Sequence, residues 1–209
     1  MKNLISLIVL VTMSCGMFSA CSKPKSTSNA TNDTLMNKKV LIVYLSRTNN
    51  TKAVAQIIQK KLGGKLVALE MVNPYPENYK QIVDQVANEN STGFIPPLKT
   101  KIDSIGQYDL IFLGFPTWGM QLPPPMKSFL KQYNLTGKTI VPFNTNAGYG
   151  IGSTFQTVKE LAPNSTILEG FSTKGGIERD GVFFVMEGNK EIEVTKQIET
   201  WLLKLKLRK

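Results

Sequence analysis

Histidine is missing from all 209 residues, which removes the most common general base and metal ligand and rules out Cys–His or Ser–His nucleophilic pairs. Cysteine is almost as scarce. Only Cys15 and Cys21 occur, so nothing later in the chain can form a disulfide, a thiolate metal site or a catalytic thiol. Long apolar runs are also lacking. The amino-terminal stretch Leu4 to Thr12 is interrupted well short of the ~20 residues that a membrane-spanning helix needs. Demanding chemistry in such a chain has to be supplied by a bound cofactor.

The amino terminus reads as an export signal, with one early positive charge at Lys2, the short apolar run, and then small residues. Phe18-Ser19-Ala20-Cys21 resembles a bacterial lipobox, in which cleavage precedes a cysteine that is then diacylated; Phe18 stands where leucine is usual. Residues 1–20 are accordingly expected to be a lipoprotein signal peptide. Cys21 is then the lipidation site, and Cys15 leaves with the signal. Ser22 to Asn37 is rich in Ser, Thr, Asn and Lys, with almost nothing apolar, the composition of a flexible tether. Residues 21–37 would thus link a lipid anchor to a domain at 38–209, giving an exported, membrane-anchored lipoprotein of the cell envelope. With 25 basic against 15 acidic residues, the net charge of +10 favours phospholipid headgroups or an acidic protein partner. Export takes nucleic acid out of reach.

From Lys38 onward the pattern alternates. Val40 to Leu45, Leu66 to Val72, Leu110 to Phe115, Thr139 to Phe143 and Thr166 to Phe171 are apolar runs of strand length. Between them, apolar residues fall at helical spacing: Val54, Ile57, Ile58 and Leu62, stopped by Gly63-Gly64; then Tyr79, Ile82, Val83 and Val86 after the turn Pro74-Tyr75-Pro76. Met126, Phe129, Leu130 and Tyr133 follow three prolines. Phe155, Val158 and Leu161 mark the next helix, and Val194, Ile198, Trp201, Leu202 and Leu205 the last, which puts Trp201 in the core. Strict β/α alternation predicts an α/β fold, a parallel sheet with helices on both faces, and explains why the strands are continuous apolar runs. Pro142 cannot donate to a ladder and is expected where its strand ends. The long stretch Thr173 to Asn189 is expected to include a small extra strand at Val182 to Met186.

Ligands of such sheets bind beyond the carboxyl ends of the strands, which directs attention to three loops. Ser46-Arg47-Thr48-Asn49-Asn50-Thr51 leads straight into a helix, where hydroxyls and first-turn N–H groups suit a phosphate. Its spacing lacks the glycine and lysine of a triphosphate-binding loop, and it is no G-x-G-x-x-G. Pro116-Thr117-Trp118-Gly119 follows the third strand, and Asn144-Thr145-Asn146-Ala147-Gly148-Tyr149-Gly150 the fourth.

Ser46-x-Thr48-x-x-Thr51 after Leu41-Ile42-Val43-Tyr44 resembles the phosphate loop [S/T]-x-T-G-x-T of the flavodoxin family. That resemblance implies a three-layer sandwich around a five-stranded parallel sheet in the order 2-1-3-4-5. It also implies FMN, with Ser46, Thr48, Asn50 and Thr51 holding the phosphate. Asn49 stands where the family prefers glycine, and asparagine is the next best residue in a left-handed conformation. Arg47 is expected either to add charge near the phosphate or to face solvent. The segment Pro116 to Gly119 is similar to the one whose tryptophan stacks on the isoalloxazine. By carry-over Trp118 takes that role, and the Gly119 carbonyl accepts a hydrogen bond from N5 of the reduced ring. Met120 follows, where some flavodoxins carry an acidic residue, which implies a higher potential than in those. Amides of Thr145, Asn146, Ala147 and Gly148 would approach the pyrimidine end of the ring and stabilise charge there. Tyr149 is a candidate for the ring's other face.

The function implied is electron transfer through FMN, with a redox protein or a small-molecule acceptor as partner. Two alternatives stand beside it. One is an NAD(P)H-dependent quinone or nitro reductase, for which Thr173 to Asn189 would help build the substrate place. The other is a binding module that has lost its flavin.

Overall fold

The computed structural model describes residues 38–208, so the expected signal peptide, the expected tether and Cys21 lie outside the described residues. Val40–Tyr44 (β1), Lys65–Ala68 (β2), Leu110–Pro116 (β3) and Thr139–Asn146 (β4) are the main strands. The edge strand comes in two pieces, Thr166–Ile167 (β5) and Phe171–Lys174 (β6). All pairings are parallel and the order is β2-β1-β3-β4-β5, with β6 also against β4. This is the 2-1-3-4-5 sheet expected, its fifth member broken in two. The helices are Asn50–Leu62 (α1), Tyr79–Thr92 (α2), Pro124–Gln132 (α3), Thr154–Leu161 (α4) and Gly188–Lys204 (α5).

Because side chains alternate along a strand, each central strand feeds two cores. Leu41, Val43, Ile111, Leu113 and Phe115 pack with Met126 and Phe129 of α3 and Val158 of α4. Ile42, Phe112, Val141 and Phe143 pack with Val54 and Ile58 of α1 and with Val194, Ile198 and Trp201 of α5. Trp201 is buried, and its indole N–H donates to the Glu169 carbonyl at 2.9 Å. Gly114, inside β3, has no room for a side chain. A Cβ there would lie 2.1 Å from Cζ of Phe143.

Helix α2 is the exception to the layering. Ile82 and Val86 are buried, yet they belong to neither sheet-packed cluster. This helix packs beside α3 instead.

Four local expectations need correction. β2 stops at Ala68: the Leu69 N–H still reaches the Tyr44 carbonyl at 2.8 Å, but Glu70 and Val72 then bond to the returning segment Pro97–Thr100. Pro142 lies inside β4, opposite Leu113, not at its end. The Ile140 carbonyl faces the edge strand and accepts from Leu168 N–H at 2.9 Å, so Pro142, two residues on, faces the same side. There the edge is interrupted between β5 and β6, and no donor is needed. The edge strand runs on to Lys174, beyond Phe171 where the apolar run ends. Val182 to Met186 forms no strand and makes only a single bridge, between Ile177 and Val182.

Candidate functional site

The carboxyl ends of β1, β3 and β4 open into a cavity of about 470 Å³, within the usual size of a small-ligand site. All three loops picked out by sequence contribute to it. Arg47, Thr48, Asn50 and Thr51 line one end, and Pro116 to Gly119 and Thr145 to Ala147 line the floor and side. Ser46, Asn49 and Gly148 are not among its lining residues.

The first loop is held from within. Asn49 caps α1 in the left-handed conformation, with φ of 61°, the geometry for which a glycine or asparagine is suited. Ser46 Oγ accepts from Lys52 N–H at 3.2 Å, serving as a helix cap. Thr51 Oγ1 lies 2.8 Å from Thr145 Oγ1, joining the first loop to the third. Asn50 is 2% exposed and its amide is fully engaged. Nδ2 donates to Thr48 Oγ1 at 2.8 Å and to the Phe183 carbonyl at 2.6 Å, while Oδ1 accepts from Val185 N–H at 3.0 Å. The structure therefore gives the Asn50 side chain to the 183–185 segment. Arg47 neither faces solvent nor points freely into the cavity. Nε is paired with Glu178 at 2.6 Å, Nη1 donates to the Pro76 carbonyl at 2.8 Å, and Nη2 donates to that of Glu77.

The second loop turns tightly, with Trp118 N–H and carbonyl bonded to those of Gln121 and with positive φ at both Gly119 (56°) and Met120 (60°). Such a turn favours glycine at its centre. At Gly119 a Cβ would meet nothing within 4 Å, so the positive φ, not lack of space, is what favours glycine here. The Thr117 hydroxyl donates to the Gly150 carbonyl at 3.1 Å and accepts from Asn144 Nδ2 at 2.9 Å. Trp118 is half-buried on the cavity wall, its indole met edge-on by the Tyr75 ring at 5.3 Å and 80°.

In the third loop, Asn146 Oδ1 accepts from Gly148 N–H at 2.9 Å and Gly150 N–H at 3.2 Å. That braces the loop and commits the Gly148 amide internally, while Thr145, Asn146 and Ala147 line the cavity. Tyr149 points outward, 66% exposed, near Arg179.

One wall was not read from the sequence. Tyr79, Ile82, Val83, Val86 and Ala87 of α2 line the cavity, as do Gly175, Gly176 and Glu178 after β6. The signal was present in α2, whose apolar stripe is wider than burial of Ile82 and Val86 requires and leaves Val83 45% exposed. The site's electrostatics come from its rim. Burial first, then the hydrogen bond and charge of Glu89, push the Tyr75 phenol well above its ordinary range. Burial, then neighbouring Lys131, lowers Lys127, whose Nζ donates to the cavity residue Asn90 at 2.8 Å. Among the described residues no cluster of acidic or cysteine side chains could hold a metal ion.

The arrangement has a hydroxyl-rich helix start at one end and an aromatic and aliphatic slot at the other, which suits a phosphorylated planar ring system. Comparison with known proteins agrees. Residues 39–188 match the family described as Flavodoxin. A flavodoxin of a Nostoc species is 22% identical over 190 residues, covering 82% of this chain and 97% of that protein. A Bacteroides eggerthii structure described as a flavoprotein superposes with a TM-score of 0.64 at 27% identity, over 80% of this chain and 98% of that one. The flavoprotein of Lactobacillus acidophilus in complex with FMN gives 0.57 at 23% identity, over 66% and 93%. With its sheet order, its cavity at the carboxyl rim and a family match over well more than half its length, this chain belongs to the flavodoxin family.

Proposed function

We propose that this protein binds FMN and transfers electrons through it as a membrane-tethered carrier. The observation that carries the proposal is the single cavity in which three separate loops and the α2 wall converge, polar at the α1 start and apolar around Trp118. Its residues fit the cofactor. Thr48 and the first-turn N–H groups of α1, which have no carbonyl partner within the helix, would hold the phosphate. Trp118 would cover one ring face, with Val83 and Val86 closing the slot opposite the loops. Gly119 would present its carbonyl, and Ala147 its amide, to the ring's polar edge.

When bound, FMN supplies the uptake and release of electrons. The protein's part is to bind, to orient and to exclude water. No histidine is present to act as an acid or base, and none is needed for that role. The tether and its lipid are supported by the lipobox-like Phe18 to Cys21 and by the polar composition of Ser22 to Asn37. The partner is a redox protein that reaches the cavity rim.

The purified protein is expected to be yellow or to take up FMN with quenching of flavin fluorescence, to be inert to NADPH alone, and to be reduced by a reductase. A colourless protein that cannot be reconstituted defeats the proposal. Rapid bleaching by NADPH with quinone turnover replaces the carrier with a reductase. Substituting Cys21→Ser is expected to release the protein from membranes; retention there would remove the lipid anchor.

A further inference from the structure

Glu89 is a carboxylate at 4% exposure, and no ion pair reaches it among the described residues. Its contacts are neutral donors. The Tyr75 phenol donates to Oε2 at 2.5 Å, and Gln85 Nε2 donates to Oε1 at 2.8 Å. Burying a carboxylate without a cation is costly, and a leucine at this helix position would pack at no such cost. Its partner shows what the carboxylate does. The Tyr75 ring stands edge-on against Trp118, and the backbone that follows Tyr75 is held, since the Pro76 and Glu77 carbonyls accept from Arg47 of the first loop.

We propose that Glu89 is a positioning residue that acts through Tyr75 to set the Trp118 indole on the cavity wall. The hydrogen bond fixes the rotation of the phenol ring, and the ring edge fixes the tilt of the indole. Because Arg47 braces the same turn, the wall is registered against the first loop as well, so the two ends of the cavity are held at a constant separation. The consequence for the cofactor rests on the flavin reading of the cavity; the positioning of Trp118 does not.

The test uses the full-length protein and three substitutions. Tyr75→Phe keeps the ring and removes the link, Glu89→Leu removes the acceptor, and Glu89→Gln keeps an acceptor without the charge. Acrylamide quenching of tryptophan emission in apoprotein reports Trp118, since Trp201 is only 7% exposed. Quenching is expected to rise in Tyr75→Phe and Glu89→Leu and to stay near wild type in Glu89→Gln. FMN affinity is expected to fall about tenfold in the first two, as for a lost hydrogen bond to a charged acceptor. The double variant is expected to be no worse than either single one, because both break one link. Unchanged quenching in Tyr75→Phe, a variant that disturbs the fold least, overturns the proposal. So do losses that add in the double variant, or a Glu89→Gln as defective as Glu89→Leu. Wild-type protein that binds no FMN while quenching still rises in the variants would remove the flavin and leave the positioning role standing.

Discussion

Removing the Asn50 side chain tests how the cavity rim is assembled. Three hydrogen bonds leave from this nearly inaccessible amide, two of them to the backbone of Phe183 and Val185 more than a hundred residues away. Asn50→Ala leaves the Phe183 carbonyl and the Val185 N–H without this partner. At about 1 kcal/mol for each bond the loss is about 3 kcal/mol. For a domain of this size each kcal/mol moves the melting temperature by about 2–4 °C, so a drop of about 6–12 °C is expected. Thermal unfolding followed by circular dichroism, without ligand, measures it. Asn50→Asp sharpens the test. A carboxylate can still accept from Val185 N–H but cannot donate to the Phe183 carbonyl, whereas the protonated acid can. Its native pKa is then raised above the unfolded value near 3.9. The variant should therefore approach wild-type stability below about pH 4 and lose it as pH rises through the native pKa. If Asn50→Ala melts within about 2 °C of wild type, the amide is not the clamp described and is free to serve the ligand instead.

Other expectations follow from single contacts. Trp118→Ala should weaken FMN binding by about 1–3 kcal/mol, the scale of a ring stacked on an aromatic side chain; a titration showing unaltered affinity takes Trp118 out of the site. Thr48→Ala should lower affinity for FMN much more than for riboflavin, and equal losses would mean that the first loop does not read phosphate. Gly114→Ala forces a Cβ into the Phe143 ring and should cost about 1–3 kcal/mol in denaturant unfolding. The Tyr75 phenol stays protonated in the fold where the unfolded chain ionises near pH 10. Its contribution is therefore complete below pH 10 and declines above it, by up to about 1.4 kcal/mol per pH unit. In Tyr75→Phe that part of the alkaline decline should vanish; an identical decline in both proteins would show the phenol to be equally titratable folded and unfolded.

The sheet was legible because its strands are buried on both faces, and continuous apolar runs such as Ile111 to Phe115 admit few other fates. The three loops were legible because the topology of such sheets dictates where ligands go. What escaped was set by contacts between segments remote in sequence. Nothing near Asn50 announces Val185, and nothing near Arg47 announces Pro76 or Glu178. Pro142 was misplaced because its tolerance depends on a gap in a neighbouring strand. The wall role of α2 was hidden for a related reason: helical periodicity marks an apolar face without saying whether it meets the sheet or an opening. Val182 to Met186 looked like a strand, yet the Asn50 clamp takes a carbonyl and an amide from it, and Phe183 and Phe184 are left exposed.

Lys38 and Lys39 are pinned at the amino-terminal rim, where Lys38 Nζ donates to Thr139 Oγ1 at 3.2 Å and the Lys39 carbonyl accepts from Asp109 N–H at 3.0 Å. The cavity lies at the other rim, beyond the eight residues of β4, a height of about 26 Å at strand rise. An attachment made ahead of Lys38 would therefore join the domain at its foot, away from the mouth. On the proposed lipid attachment at Cys21, the junction with the tether leaves the mouth open.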